Sequence, residues 1–141
     1  MVNKILVAVD IEHRDNAIKA LKEAKLLAEA RGAEIHICFV LAYGFYDYVK
    51  PFLVEEVLKD TIAHVKMELV GIVRDAGLKD EFVYRHVLKG GVHQQILLLA
   101  EKLKPQYIVL NGHSPEATSG VTGPVTAQVA RLAPCNLLIV K

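Results

Sequence analysis

The sequence predicts a three-layer α/β sandwich built on a parallel sheet. Short, almost continuous apolar runs alternate with longer segments in which apolar residues recur every three or four positions. Runs of the first kind are typical of strands buried on both faces, and segments of the second kind are typical of amphipathic helices. The resulting order, β-α-β-α-β-α-β-α-β, favours parallel strands joined by right-handed helical crossovers.

The first half of the chain contains two of the predicted strands and two of the helices. Strands are predicted over residues 4–9 and 34–41, and a helix is predicted from about residue 15 to residue 31. Pro51 begins a second, longer helix that Gly77 ends, because proline suits the first turn of a helix and glycine suits its end. The residues expected to face the core are Ala17, Leu21, Ala24 and Ala28 in the first helix, and Val54, Leu58, Ile62, Val65, Leu69 and Val73 in the second.

The second half continues the same alternation. A third strand over residues 82–87 contains Arg85 and His86, and these polar residues predict a position at the edge of the sheet. A helix follows over residues 92–103, with Ile96, Leu99 and Leu103 expected to face inward. The remaining elements are a strand over 107–110, a helix over about 124–132 and a final strand over 136–140.

Composition limits the protein class. A chain of 141 residues is expected to form one domain, residues 1–141. Its net charge of +1 gives no electrostatic reason to expect a nucleic-acid partner or an anionic membrane. No apolar stretch approaches the length of a membrane span, and we expect no membrane insertion. The two cysteines, Cys38 and Cys135, lie in apolar runs and are expected to be buried free thiols, which predicts a cytoplasmic location.

The longest predicted loop between a strand and a helix is the best candidate for a ligand site. Residues 111–122 follow the fourth strand, whereas such connections usually have about two to six residues. The loop contains glycines that allow close backbone approach, and hydroxyl side chains that could donate to phosphate. Against phosphate binding, Glu116 adds a negative charge, and Pro115 and Pro124 lack an N–H.

Other candidate residues have weaker patterns. Asp10 follows the first strand, where its carboxylate could accept hydrogen bonds from ribose hydroxyls or an adenine amino group, or could simply form a turn. The aromatic segment 43–52 could cover a base, or could pack on the sheet or on a second subunit. His13 and His113 follow strands expected to be neighbours, but nothing completes a set of metal ligands around them. No catalytic residue and no resident metal site is predicted.

Three stretches resemble the universal stress protein family: KILVAVD at 4–10, KGGVHQQILLLAEKLKPQYIVLNGH at 89–113 and GPVTAQVARLAPCNLLIVK at 123–141. The resemblance covers the whole chain. It implies a Rossmann-like fold of the adenine nucleotide alpha hydrolase-like type, with strand order 3-2-1-4-5. It also implies a homodimer formed through the last strand, at Leu137, Leu138, Ile139 and Val140.

Members of that family that bind ATP carry a motif G-x-x-G, nine residues, then G-[ST]. On this chain the first two motif glycines fall on Asn111 and Ser114, and the third falls on Gly123 after eight residues. Pro124 takes the place of the final Ser or Thr, and Thr122 could supply a hydroxyl instead. The candidate nucleotide-binding residues implied by the resemblance are Asp10, Val40, Asn111, Gly112, His113, Ser114, Thr122, Gly123 and Val125.

Three hypotheses about function follow. The first is a small regulatory module of the stress response in which binding of ATP is weak or absent. The second is a true ATP or AMP binder with an altered phosphate loop, with Mg²⁺ accompanying the nucleotide, and with slow hydrolysis or self-phosphorylation at Ser114, Thr118 or Ser119. The third is a small α/β enzyme, which the absence of an evident nucleophile disfavours.

Overall fold

The computed structural model describes residues 2–42, 55–112 and 124–141 of the chain. Its first half runs through strand β1, helix α1, strand β2, helix α2 and strand β3, and its second half through helix α3, strand β4, helix α4 and strand β5. Their bounds are β1 Asn3–Ala8, α1 Arg14–Arg31, β2 Ala33–Ala42, α2 Glu55–Asp75, β3 Val83–Gly90, α3 Val92–Leu103, β4 Tyr107–Asn111, α4 Pro124–Leu132 and β5 Asn136–Val140.

The five strands form one sheet in the order β3-β2-β1-β4-β5, and neighbouring strands pair in parallel. The predicted order 3-2-1-4-5 and the edge position of the third strand are therefore confirmed. β1 lies at the centre, between β2 and β4, and the order of the strands along the chain reverses there. A reversal of this kind opens a crevice at the carboxyl edge of a parallel sheet.

The core lies on both faces of the sheet. On one face, α1 and α2 bury a cluster that includes Leu21, Leu69 and Val109, each fully inaccessible to solvent. On the other face, α3 and α4 bury a second cluster that includes Ile96 and Val129. The inward positions predicted for α1 are confirmed, because Ala17, Leu21, Ala24 and Ala28 are all buried.

Backbone geometry explains where two helices end. Gly32 adopts a left-handed conformation after α1, with φ of 60°, and its N–H donates to the carbonyl of Ala28. Lys104 ends α3 in the same way, with φ of 51° and its N–H bonded to Ala100. Glycine takes this conformation without strain, whereas a lysine rarely adopts it.

Two predictions need correction, and two others lie outside the described residues. The third strand is Val83–Gly90 instead of 82–87, because a short 3-10 turn, Asp80–Phe82, precedes it. Cys135 is only half-buried, since it lies in the turn before β5 and not within the strand. The start of the second helix at Pro51 and the aromatic segment 43–52 fall outside the described residues.

Candidate functional site

The carboxyl ends of β1 and β4 meet at the centre of the sheet. Val7 of β1 lies opposite Val109 of β4, so the same register places Val9 opposite Asn111. Asp10 follows Val9 directly, and Gly112 follows Asn111. The structure therefore brings Asp10, Asn111 and Gly112 to the crevice where ligands bind in folds of this class.

Asp10 is held in a turn and remains open to solvent. Its Oδ1 accepts a hydrogen bond from the backbone N–H of Glu12 at 3.0 Å, and its carbonyl accepts one from the N–H of His13 at 3.1 Å. Its Oδ2 lies 3.7 Å from Nε2 of His13, and the Asp10 side chain is 53% exposed. One carboxylate oxygen thus stabilises the turn, while the other lies near the ring of His13.

Asn111 is connected to helices on both faces of the sheet. Its Nδ2 donates to the carbonyl of Asn16 in the first turn of α1 at 2.9 Å. Its own carbonyl accepts a hydrogen bond from Oγ1 of Thr126 in α4 at 2.8 Å. These contacts tie the end of β4 to both walls of the crevice.

Gly112 is confined by β5 and not by a ligand. Its backbone N–H donates to the carbonyl of Val140 at 2.9 Å. A Cβ placed on Gly112 would lie 2.9 Å from Cγ2 of Ile139 and 3.2 Å from Cγ of Lys141. The packing of β5 against this residue therefore explains the glycine, and its N–H is already satisfied within the protein.

The remaining predicted residues fall into two groups. Val40 lies near the end of β2 with its side chain only 7% exposed, and Val125 is half-buried on α4. Both pack into the cluster beneath α3 and α4. The rest of the predicted loop residues lie outside the described part of the chain: His113, Ser114, Thr122 and Gly123.

The comparisons with known proteins agree with this architecture. A model of the universal stress protein family matches residues 1–141. The chain belongs to this family. Its fold is similar to the universal stress protein UspA from Lactobacillus plantarum, with a TM-score of 0.80, 24% identity, and coverage of 99% of this chain and 97% of that one.

Two similar structures contain nucleotides. A universal stress protein from Archaeoglobus fulgidus in complex with dAMP is 22% identical, with a TM-score of 0.69 and full coverage of both chains at 100%. A universal stress protein in complex with cAMP is 20% identical, with a TM-score of 0.69. That match covers 99% of this chain and 96% of the other. At these identities the likeness establishes the shared fold.

Two lysines near the crevice of this universal stress protein were missed at the level of sequence. Lys19 of α1 donates from Nζ to the carbonyl of Lys141 at 3.0 Å. The side chain of Lys141 itself lies against Gly112. The predicted loop has no lysine or arginine of its own, and these cations come from positions remote in sequence. The parallel pairing of β4 with β5 brings Lys141 there, and Lys19 comes from α1.

The histidine contact seen in the structure is also not the one considered from the sequence. His36 of β2 and His86 of β3 approach through Nδ1 and Nε2 at 2.9 Å, and Nε2 of His36 lies 3.3 Å from Oε1 of Glu34. The ring of Tyr84 stacks on His36 with centroids 4.6 Å apart. Burial lowers the pKa of both histidines. At His36, Glu34 opposes this shift only in part.

This histidine cluster lies on the edge strand β3 and its neighbour β2, away from the crevice. His113 lies outside the described residues, so the contact with His13 that the sequence raised, and disfavoured, is untested. Within residues 2–42, 55–112 and 124–141, no three or more His, Cys, Asp or Glu side chains are arranged to hold a metal ion. In the same ranges no helix is both long enough and apolar enough to span a bilayer.

A separate cavity of about 520 Å³ lies at the amino edge of the sheet, opposite the crevice. The guanidinium of Arg31 there donates to the hydroxyl of Tyr107 at 3.0 Å and stacks over its ring at 5.0 Å. Cys135 also lines this cavity, and burial raises the pKa of its thiol. Complete burial raises the pKa of the Cys38 thiol to about 12, so Cys38 is a chemically inert core residue.

Proposed function

We propose that this universal stress protein is a cytoplasmic, homodimeric regulatory module of the stress response, with low affinity for adenine nucleotides. The observation that supports the low affinity is that the polar groups at the start of the candidate nucleotide loop are already hydrogen-bonded within the protein. The side-chain amide and carbonyl of Asn111 and the N–H of Gly112 all make hydrogen bonds within the protein. A phosphate oxygen would have to compete for the two donors among them, the Nδ2 of Asn111 and the N–H of Gly112.

The loop sequence supports the same proposal. Asn111, Ser114 and Pro124 occupy positions where ATP-binding relatives carry two glycines and a Ser or Thr. Pro124 begins α4, so the first N–H of that helix is missing as a donor to phosphate. A helix N-terminus binds anions mainly through such N–H groups, and the loss weakens it.

The homodimer is proposed through β5. Ile139 is 38% exposed at this edge, and the other apolar residues of the strand are half-buried. A strand at the edge of a sheet presents unpaired backbone groups, and pairing with a second copy would satisfy them. The location in a reducing compartment is supported by Cys38 and Cys135, which are both free thiols.

The test begins with the protein as purified from cells. We expect no stoichiometric nucleotide when the protein is denatured and its small molecules are separated by chromatography. Calorimetric titration with ATP and AMP should give dissociation constants weaker than the micromolar range. Tight, saturable binding that is lost in Asp10→Ala would contradict the proposal, because it would show an occupied site at the crevice.

A second candidate function is a true AMP or ATP binder. The lysines Lys19 and Lys141 favour it, because the Lys141 side chain lies against Gly112 and the Lys19 ammonium donates to the carbonyl of Lys141. The complexes of two similar structures with cAMP and dAMP favour it as well. Nucleotide that copurifies with the wild-type chain, with affinity that falls in Lys19→Gln and at high salt, would select this function over the first.

A further inference from the structure

The crevice of this protein contains a contact that closes it from within. Asn111 is the last residue of β4, and its side chain points to the same face as Val109, which packs in the cluster beneath α1 and α2. It continues the row of core residues towards the solvent edge of the sheet. At that edge its Nδ2 reaches the carbonyl of Asn16 in α1.

We propose that Asn111 is an internal clasp, which holds α1 against the end of β4 and thereby keeps adenine nucleotides out of the crevice. The inference rests on the proposed function and adds a cause for the low affinity. The clasp consists of the bond from Asn111 Nδ2 to Asn16 and the bond from Thr126 to the carbonyl of Asn111.

The two bonds join elements on opposite faces of the sheet. α1 packs in the cluster on one face and α4 in the cluster on the other, and the crevice opens between them. Because one residue bonds to both helices, the distance between the crevice walls is fixed at the point where β1 and β4 end. A nucleotide entering between Asp10 and Asn111 would have to break the bond to Asn16 or approach over it.

The partners of Asn111 do not depend on a ligand. Asn16 offers a backbone carbonyl, which has a second lone pair beyond its helical bond. Asn111 is half-buried, so its amide is partly shielded from water and the bond is not easily exchanged for one with solvent. The side-chain amide and the carbonyl of Asn111 are therefore already hydrogen-bonded within the protein. A ligand that displaces one of these bonds gains only the difference between the new bond and the old one.

The chain contains a matched control for this contact. At the opposite, amino end of the sheet, Nδ2 of Asn3 donates to the carbonyl of Arg31 in α1 at 3.0 Å. This bond has the same donor, the same kind of acceptor and the same helix, but it lies far from the crevice. Asn3→Ala removes this bond, together with the one that Asn3 Oδ1 accepts from Nε2 of Gln106, and should leave the candidate nucleotide site unchanged.

The experiment measures AMP and ATP affinity by calorimetry in the wild type, Asn111→Gly, Asn111→Ala and Asn3→Ala. We expect both Asn111 variants to bind AMP about tenfold more tightly than the wild type, because one internal hydrogen bond no longer competes. Asn3→Ala should bind as the wild type does. Hydrogen exchange of the first amides of α1 should become faster in the Asn111 variants.

The outcomes separate the two proposals. The wild-type affinity alone tests the proposed low affinity, whereas the ratio between variant and wild type tests the clasp. Equal affinities in the wild type and both Asn111 variants, or no binding by any of them at millimolar AMP, would overturn the clasp. An equal gain in Asn3→Ala would overturn it too. Should Asn111→Gly fail to fold, Asn111→Ala carries the comparison, since alanine restricts the backbone more than glycine.

Discussion

At one edge of the sheet, β3 is closed by polar contacts of its own, with Arg85 paired to Asp80 and Tyr84 stacked on His36. At the other edge, β5 carries Leu137, Leu138, Ile139 and Val140 in succession, and Ile139 is 38% exposed. Both strands have one side without a partner in the described chain, but β3 carries the charged residues Arg85 and Lys89, whereas β5 has no charged side chain. An edge covered by charge resists pairing, and an apolar edge favours it. This difference is why we propose β5 as the dimer interface.

The largest effect is expected from a substitution that disrupts the apolar edge. Ile139→Lys places a charge in the middle of the proposed interface, and the dimer dissociation constant should rise about 30-fold or more, as for an interface hot spot. Sedimentation equilibrium would measure the change. The matched control is Phe82→Lys, which changes a 64% exposed residue beside β3 and should leave the dimer intact. A dimer that survives Ile139→Lys but is lost in Phe82→Lys would reverse the assignment of the two edges.

A smaller effect is expected at the polar edge, where acid protonates His36 and His86 and lowers the free energy of unfolding. Burial lowers the pKa of both His36 and His86 below 6.5, so the unfolded chain binds more protons than the folded one in the window beneath that value. The free energy of unfolding should fall with decreasing pH there, by about 1 kcal/mol as the bond between the rings is lost. The groups acting on His36 are Glu34, which opposes the shift, and Lys4, which adds to it.

Urea titrations from about pH 7.5 to about pH 5 would measure this dependence. His86→Gln keeps a neutral hydrogen-bonding group but does not titrate, so it should flatten the curve. The control is His64→Gln in α2, where the histidine side chain is 70% exposed. Identical slopes in the wild type and His86→Gln would show that the histidine pair does not govern the acid sensitivity of β3.

The smallest effect is expected from the ion pair on β3. Arg85 and Asp80 have side chains that are 30% and 50% exposed, and exposed pairs stabilise proteins by about 0.2–1 kcal/mol. Arg85→Ala should lower the free energy of unfolding by about 0.5 kcal/mol. A double-mutant cycle with Asp80→Ala isolates the pair. A coupling above about 2 kcal/mol would mean that this edge depends on the pair more than surface exposure allows.

Much of this fold could be predicted from sequence because burial leaves a periodic pattern. The apolar runs of β1 and β4 and the helical spacing of Ala17, Leu21 and Ala24 reflect contacts that repeat along the chain. The resemblance to the family motif predicts a nucleotide loop after β4, and that role stays a prediction. The side-chain contacts of the crevice leave no such pattern: the bond from Asn111 to Asn16 joins residues that only strand order brings together. The same is true of Lys19 and Lys141, and of the histidine pair.

The bond between Thr126 and the carbonyl of Asn111 has one more consequence. It joins the chain just before and just after the nucleotide loop, so the span between them is closed by the scaffold. The free-energy cost of closing a loop, which is entropic, grows only slowly, by about 0.6 kcal/mol for each doubling of the loop's length. The loop here is one residue shorter than the family motif, and the fold tolerates that change at little cost. A longer phosphate loop grafted between Gly112 and Pro124 should therefore leave the sheet and both helical layers intact, which makes this position a suitable host for engineered binding sequences.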